Sequence, residues 1–324
     1  MLLKDENKTI TIGTESVKPG QEKLVNIKID RLPTGTIIDI PIYVFNAKNP
    51  GPTLLVQAGL HGDEINGIEI VRRMLDKKYF NVNKGCIIAV PILNIFGFIH
   101  FSRELPDGKD VNRSFPGSKS GSLASRIAYH FTKEIFPQID FGVDLHTGGG
   151  SRSNYPQTRY TAADKNSEEL AAIFNAPFTF SSDLIPKSFR KTAFTKGIPT
   201  IVYEAGESMR FDEYSIEQGV QGILNILHHF KMINKTEALL PEKEETVYLT
   251  NRKWLRAPTA GMFLPKIKNG SDIKKGAVIG IVTDAFSKRN KEIKAPFNGC
   301  VFCINHQAVV NQGEALFHIG ELAK

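Results

Sequence analysis

Residues 59–67 read GLHGDEING, which places His61 and Glu64 three positions apart in a glycine-rich turn behind an apolar run. An imidazole and a carboxylate at that separation suit a shared metal ion, but the same pair also occurs on ordinary loops. The rest of the chain has to decide. His146 ends the apolar run VDLH and is followed by Thr147 and three glycines, and Glu204 lies in IVYEAGE. Two histidines and one glutamate are a set suited to catalytic zinc, with a fourth position left for water. Between these motifs, RELPDGKDVNRSFPG (103–117) carries Arg103 and Arg113 on either side of an Asp-Gly turn, with Asp110 and Asn112 beside the second arginine. A guanidinium is a planar fork that matches a carboxylate or a developing oxyanion.

These residues act together only if the fold gathers them. Residues 23–30 and 36–45 read as strands, followed by a Pro-Gly-rich turn at 48–52. TLLVQAGL (53–60) is a short unbroken apolar run, the pattern of a strand buried on both faces. CIIAVPIL, IDFGVDLH and IPTIVYEAGE repeat that pattern, while 65–78, 123–136 and 214–232 read as helices. Strands alternating with helices predict an α/β domain with a mainly parallel or mixed sheet flanked by helices. In such sheets functional groups gather at the carboxyl ends of strands. His61 and Glu64 follow the first buried strand, His146 ends the third and Glu204 the fourth. Singly, each has an ordinary explanation: a surface histidine, a glutamate favoured by a helix dipole, an ion-paired carboxylate. At one rim they make a site.

Beyond 241–245 no helical period persists, and short alternating runs are separated by Gly, Pro and Asn. This predicts two domains: residues 1–240, with an N-terminal β segment over about 1–45, and a small all-β domain over 246–324.

The 324 residues are 41% hydrophobic and 23% charged, the balance of an ordinary globular protein that needs no metal to fold. A metal would therefore serve chemistry. The net charge of +7 comes from scattered lysines without a basic run, which argues against nucleic acid as a partner. No stretch approaches the apolar length of a membrane span, and the N-terminus turns charged by its fourth residue, unlike a secretory signal. Three cysteines imply no disulfide framework and point to the cytoplasm. Cys300 and Cys303 form a CxxC, read as packing within a strand.

GLHGDE, Asn94 to Arg103, DGKDVNRSFPG, DLHTGG and YEAGE run in the order found in the succinylglutamate desuccinylase/aspartoacylase family, which the chain resembles over most of its length. That family is a branch of the zinc carboxypeptidase-like amidohydrolases. The resemblance implies one zinc ion per chain held by His61, Glu64 and His146, with Glu204 as general base and acid. It implies that Arg103 polarises the scissile carbonyl, that Asn112 and Arg113 hold a substrate carboxylate, and that Asp110 orients the first histidine. Arg190, and less strongly Arg159, are further candidates for a second carboxylate or the acyl group. The expected partner is a small N-acylated substrate, and a homo-oligomer is compatible with this reading.

The C-terminal runs resemble the barrel-sandwich fold of biotinyl and lipoyl carriers, with Lys288 on a hairpin before Ala295-Pro296. DAFSKRN lacks the context that modifying enzymes read, so the expected task of this segment is to shape or partly roof the cleft. The leading expectation is a zinc-dependent amidohydrolase that deacylates an N-acylated amino acid or related small amine. The alternatives are a metallocarboxypeptidase acting on a small peptide, or a non-catalytic carrier or binding module.

Overall fold

A computed structural model describes residues 7–31, 34–234, 246–286 and 288–323. The expected junction at 241–245 lies outside the described residues. Among those described, no helix is long and apolar enough to cross a membrane.

Among the described residues, twelve strands form one mixed sheet flanked by helices. Its centre is four parallel strands in the spatial order Lys84–Val90, Asn49–Gln57, Phe141–Gly148, Thr200–Glu207. Their unbroken apolar runs are needed because both faces are covered. Leu55, Ile88 and Val90 point to one side and pack with Ile127 and Phe131 of helix Leu123–Glu134. Leu54, Val56, Ile87, Val143 and Leu145 point to the other, against Ile70 and Met74 of helix Ile65–Asp76 and Ile223 and Leu227 of helix Glu213–His229. Each such side chain, fully buried, contributes about 1.5–3 kcal/mol. The antiparallel strands Ile37–Asn46 and Gln21–Arg31 extend the sheet beyond Lys84–Val90.

On the other flank, Thr200–Glu207 pairs antiparallel with Arg152–Tyr160, a strand missed in the sequence because RSNYPQTRY is polar and contains Pro156. Proline cannot donate to a ladder. Here Pro156 falls where the strand changes partners. Residues 152–154 pair with Gly299–Asn305, whereas residues 157–160 pair with Phe178–Ser181. The sheet then continues through Val247–Arg256, Ala315–Leu322 and Gly299–Asn305. Since that last strand returns to Arg152–Tyr160, five strands close into a ring.

Residues 246–323, as described, contain strands and no helix, and a second, four-stranded sheet lies among them. Four of their strands, Val247–Arg256, Asp272–Ile273, Gly299–Asn305 and Ala315–Leu322, continue the large sheet. Cys300 and Cys303 are buried in strand Gly299–Asn305, and burial pushes both thiols up to about 12, as packing residues rather than nucleophiles. Lys288 lies on an exposed hairpin turn, its backbone N–H donating to Asp284.

Candidate active site

Strand Asn49–Gln57 ends below the turn that carries His61, and Glu64 is the N-cap residue of helix Ile65–Asp76. The turn is tight because it lies against another backbone. A Cβ on Gly62 would fall 1.9 Å from the carbonyl carbon of Gly97, while the Gly62 N–H donates to Ser102 O at 3.1 Å. His146 lies on strand Phe141–Gly148, and its Cα register partner on the neighbouring parallel strand is Glu204. Residues paired in register share a face of the sheet. The predicted convergence at one rim is therefore present.

The ligand atoms of His61, Glu64 and His146 lie within 4.8 Å of one another, and all three residues are buried. Glu64 Oε1 is 2.6 Å from His61 Nδ1, and Oε2 is 2.8 Å from His146 Nδ1. The Thr147 N–H also donates to Oε2, at 3.0 Å. The opposite ring nitrogens meet carboxylates: His61 Nε2 is 3.3 Å from Asp110 Oδ1, and His146 Nε2 is 3.0 Å from Asp144 Oδ2. Carboxylates behind imidazoles fix ring orientation and make the free nitrogens better donors to a metal.

The electrostatics agree. Burial opposes charge on His146, but Asp144 and Glu64 outweigh it and hold its pKa well above the ordinary value. Burial likewise opposes charge on His61, which Glu64 and Asp110 raise. Glu64 resists burial through the two imidazoles, which keep it well below the carboxylate range. A pocket that draws protons onto both histidines is one in which a divalent cation can take their place. Two Nδ1 atoms and a carboxylate, each ring braced from behind, fit zinc.

Arg103 lies beside this group. Its Nη1 is 3.1 Å from His61 Nδ1 and 3.2 Å from Glu64 Oε1, and its Nη2 donates to Asp110 Oδ2 at 3.0 Å. Asn94, the N-cap of the short helix Ile95–Ile99, donates to Arg103 O and so fixes that segment. Asp110 accepts from the Asn112 N–H, and Asn112 Oδ1 accepts from the Phe189 N–H, which leaves the Asn112 Nδ2 amide as the donor offered to a ligand. Arg113 is half-exposed at the mouth, with Asp110 at 4.0 Å.

Arg190 is placed differently from its expected task. It is buried, and its guanidinium donates to Tyr160 O, to Ser182 O and Oγ, and to Asp183 O. Burial, with Arg159 nearby, brings its pKa down to about 10. It lines the cleft while bracing the 182–183 segment. Arg159, the weaker candidate, contacts Glu204: Nη1 is 3.1 Å from Oε1, and Asn154 Nδ2 donates to Oε2 at 2.7 Å. Asp144 and Asn154 were not singled out from the sequence. For Asp144 the signal was available, since residues two apart on a strand share a face.

The cleft holds about 300 Å³ and is lined by His61, Glu64, Asn112, Asp144, His146, Thr147, Glu204 and the arginines named above, together with Gly149, Arg152, Ser182, Asp183, Ile185, Ser188 and Val202. Among the described residues, none of those lining it lies beyond Glu204. Among the described residues the expected roofing by the C-terminal strands is not seen; strand Gly299–Asn305 instead pairs with the strand that carries Asn154 and Arg159.

Comparison with known proteins gives a consistent picture. The succinylglutamate desuccinylase/aspartoacylase catalytic domain matches residues 50–230. An N-alpha-acetyl-L-2,4-diaminobutyric acid deacetylase of Halomonas elongata is 27% identical, covering 98% of this chain and 95% of its own. Among solved structures, a succinylglutamate desuccinylase/aspartoacylase from Rhodobacter sphaeroides has a TM-score of 0.81 at 26% identity, covering 94% of this chain and 96% of that one. The product-bound ectoine utilization protein EutE (DoeB) of Ruegeria pomeroyi shares the fold, with a TM-score of 0.80 at 22% identity over 93% of this chain and 94% of that one.

Proposed function

Because the chain belongs to the succinylglutamate desuccinylase/aspartoacylase family, we propose that it is a zinc-dependent deacylase that hydrolyses the amide bond of a small N-acylated amino acid. The observation that carries this reading is the convergence of His61, Glu64 and His146, with a carboxylate behind each imidazole and Glu204 one strand away. A purely structural cluster has no need of that last residue.

His61 Nδ1, His146 Nδ1 and Glu64 would hold the ion. When bound there, zinc supplies Lewis acidity, polarising a carbonyl and acidifying water. Glu204 takes the proton of the attacking water and delivers it to the leaving amine as the C–N bond breaks. The Arg103 guanidinium faces the negative charge that develops on the carbonyl oxygen. Asn112 and Arg113 grip the substrate carboxylate. No covalent acyl-enzyme is needed.

A cleft of about 300 Å³ with Arg103, Arg113 and Arg152 in its lining suits a compact anionic substrate rather than a peptide chain. The Halomonas relative's name makes N-alpha-acetyl-L-2,4-diaminobutyrate the first compound to try. We further propose that residues 246–324 form a β domain of barrel-sandwich type whose contribution is support of the site rather than carriage of a cofactor on Lys288.

The test is zinc content and hydrolysis on one purified sample. It is assayed against N-acetyl, N-succinyl and N-formyl amino acids beside blocked dipeptides. About one zinc per chain with chelator-sensitive release of a free amino acid supports the reading. Cleavage of dipeptides alone would make the protein a carboxypeptidase. Absence of both metal and turnover after zinc is added would sink it.

A further inference from the structure

We propose that Arg159 and Asn154 are positioning residues for Glu204, and that the closed ring of five strands holds them in place. The inference rests on the base role given to Glu204 above.

Both oxygens of the Glu204 carboxylate are engaged by the same neighbouring strand, Oε1 by Arg159 and Oε2 by Asn154. Two contacts to two oxygens fix the plane of the group as well as its place. The two residues flank Pro156, and each is backed by a different strand. Asn154 is the Cα partner of Cys303 in Gly299–Asn305, and Arg159 is the partner of Phe180 in Phe178–Ser181. Closing the ring therefore sets the spacing between the two donors.

Arg159 is itself held. Its guanidinium lies 5.6 Å from the Phe180 ring centroid, and Arg252 lies 4.4 Å from the same ring. Phe180 packs on Phe302, whose ring neighbours His318. These neighbours are aromatic, cationic or neutral. Among the described residues the carboxylate that forms an ion pair with Arg159 is Glu204. An arginine lining a substrate cleft would ordinarily be assigned to the substrate, but this one already has a protein carboxylate as partner.

A carboxylate that must take a proton from water and return it to an amine acts only from the right place. Displacement of a reacting group by about 1 Å costs on the order of 100-fold in rate. Arg159 and Asn154 prevent that displacement without touching the substrate.

The test uses the full-length, zinc-loaded protein and its preferred N-acyl amino acid. Arg159→Ala and Asn154→Ala are expected to lower kcat by about 100-fold and about 10-fold, with KM within about threefold of wild type. Arg159→Lys, which restores the charge without the fork, should recover at least about a tenth of kcat. In a Glu204→Gln background, Arg159→Ala should change neither the residual turnover nor the equilibrium affinity for substrate, because the base that Arg159 positions is already lost. A KM raised tenfold with kcat intact, or weaker substrate binding in the Glu204→Gln background, would show Arg159 gripping the substrate and overturn the proposal. Additive losses in the double variant would also overturn it. Full turnover by Glu204→Gln alone would be a different failure, that of the base assignment itself. Asn154→Ala and Arg159→Lys keep the question answerable if Arg159→Ala does not fold.

Discussion

Asp144 and His146 stand two residues apart on one buried strand and meet through their side chains, Oδ2 lying 3.0 Å from Nε2. Asp144 is in turn fixed by Gln57, whose Nε2 donates to Oδ1 at 3.0 Å. The ring of His146 is therefore oriented from the parallel strand beside it. Asp144→Asn should lower zinc affinity by about 10- to 100-fold while the fold persists. Competition with a chelator of known affinity measures it, and an unchanged zinc affinity would remove Asp144 from the site.

Arg113 and Asn112 both line the cleft, and Arg113 is half-exposed. If they grip the substrate carboxylate, Arg113→Ala removes binding that is the same in the ground state and the transition state. KM should rise about tenfold or more, with kcat changed by less than about threefold. Steady-state kinetics on the preferred substrate decides between this and a loss confined to kcat, which would assign Arg113 to the chemistry.

Gly62 offers a test of the turn that carries His61. A methyl group there would lie 1.9 Å from Gly97 C and 2.1 Å from Phe98 N, both backbone atoms that cannot rotate away. Gly62→Ala should cost about 1–3 kcal/mol or more by overpacking, and it should displace His61. The expected readings are a lower denaturation midpoint together with weaker zinc binding; wild-type values of both would mean that the turn yields freely.

His318 gives the fold a pH dependence of its own. Burial, with Arg159 and Arg252 nearby, brings its pKa down to about 3 from an ordinary 6.5. Between those values the unfolded chain binds a proton that the folded chain does not, so stability is complete above pH 6.5 and falls as the solution is acidified. The limiting slope is about 1.4 kcal/mol for each pH unit. Trp254, the single tryptophan, stacks on His318 with centroids 4.2 Å apart, so its fluorescence reports on this residue's surroundings. Urea unfolding followed by that fluorescence at pH 7, 6 and 5 should show the decline, and His318→Gln should flatten it.

The parallel centre of the sheet was legible because TLLVQAGL, CIIAVPIL and IPTIVYEAGE carry no polar face to confuse with a helix, and Gln57 is buried among them. The helices over 65–78, 123–136 and 214–232 agree with Ile65–Asp76, Leu123–Glu134 and Glu213–His229 to within a few residues at their ends. His61, Glu64, His146 and Glu204 were legible as a group because each follows or ends such a run. Arg152–Tyr160 was not, since Pro156 and its polar neighbours hide a strand whose pairing changes midway. The partners of Glu204 went unseen for the same reason. A contact across strands depends on register, and register is set by neighbours far away in sequence. Arg190 illustrates the converse: an arginine in the right segment turned out to serve the backbone around it.

The ring closed by Gly299–Asn305 also has an order in time. During synthesis the segments that bear His61 and His146 leave the ribosome before Gly299–Asn305, and folding can begin on the earlier part of a chain while the rest is still being made. The strand that flanks Asn154 leaves the ribosome well after Asn154 itself. His61, Glu64 and His146 can therefore be in place while the Glu204 carboxylate still lacks its full set of neighbours. The nascent chain thus gains its fold by stages, and the surroundings of Glu204 are complete only when Gly299–Asn305 has docked.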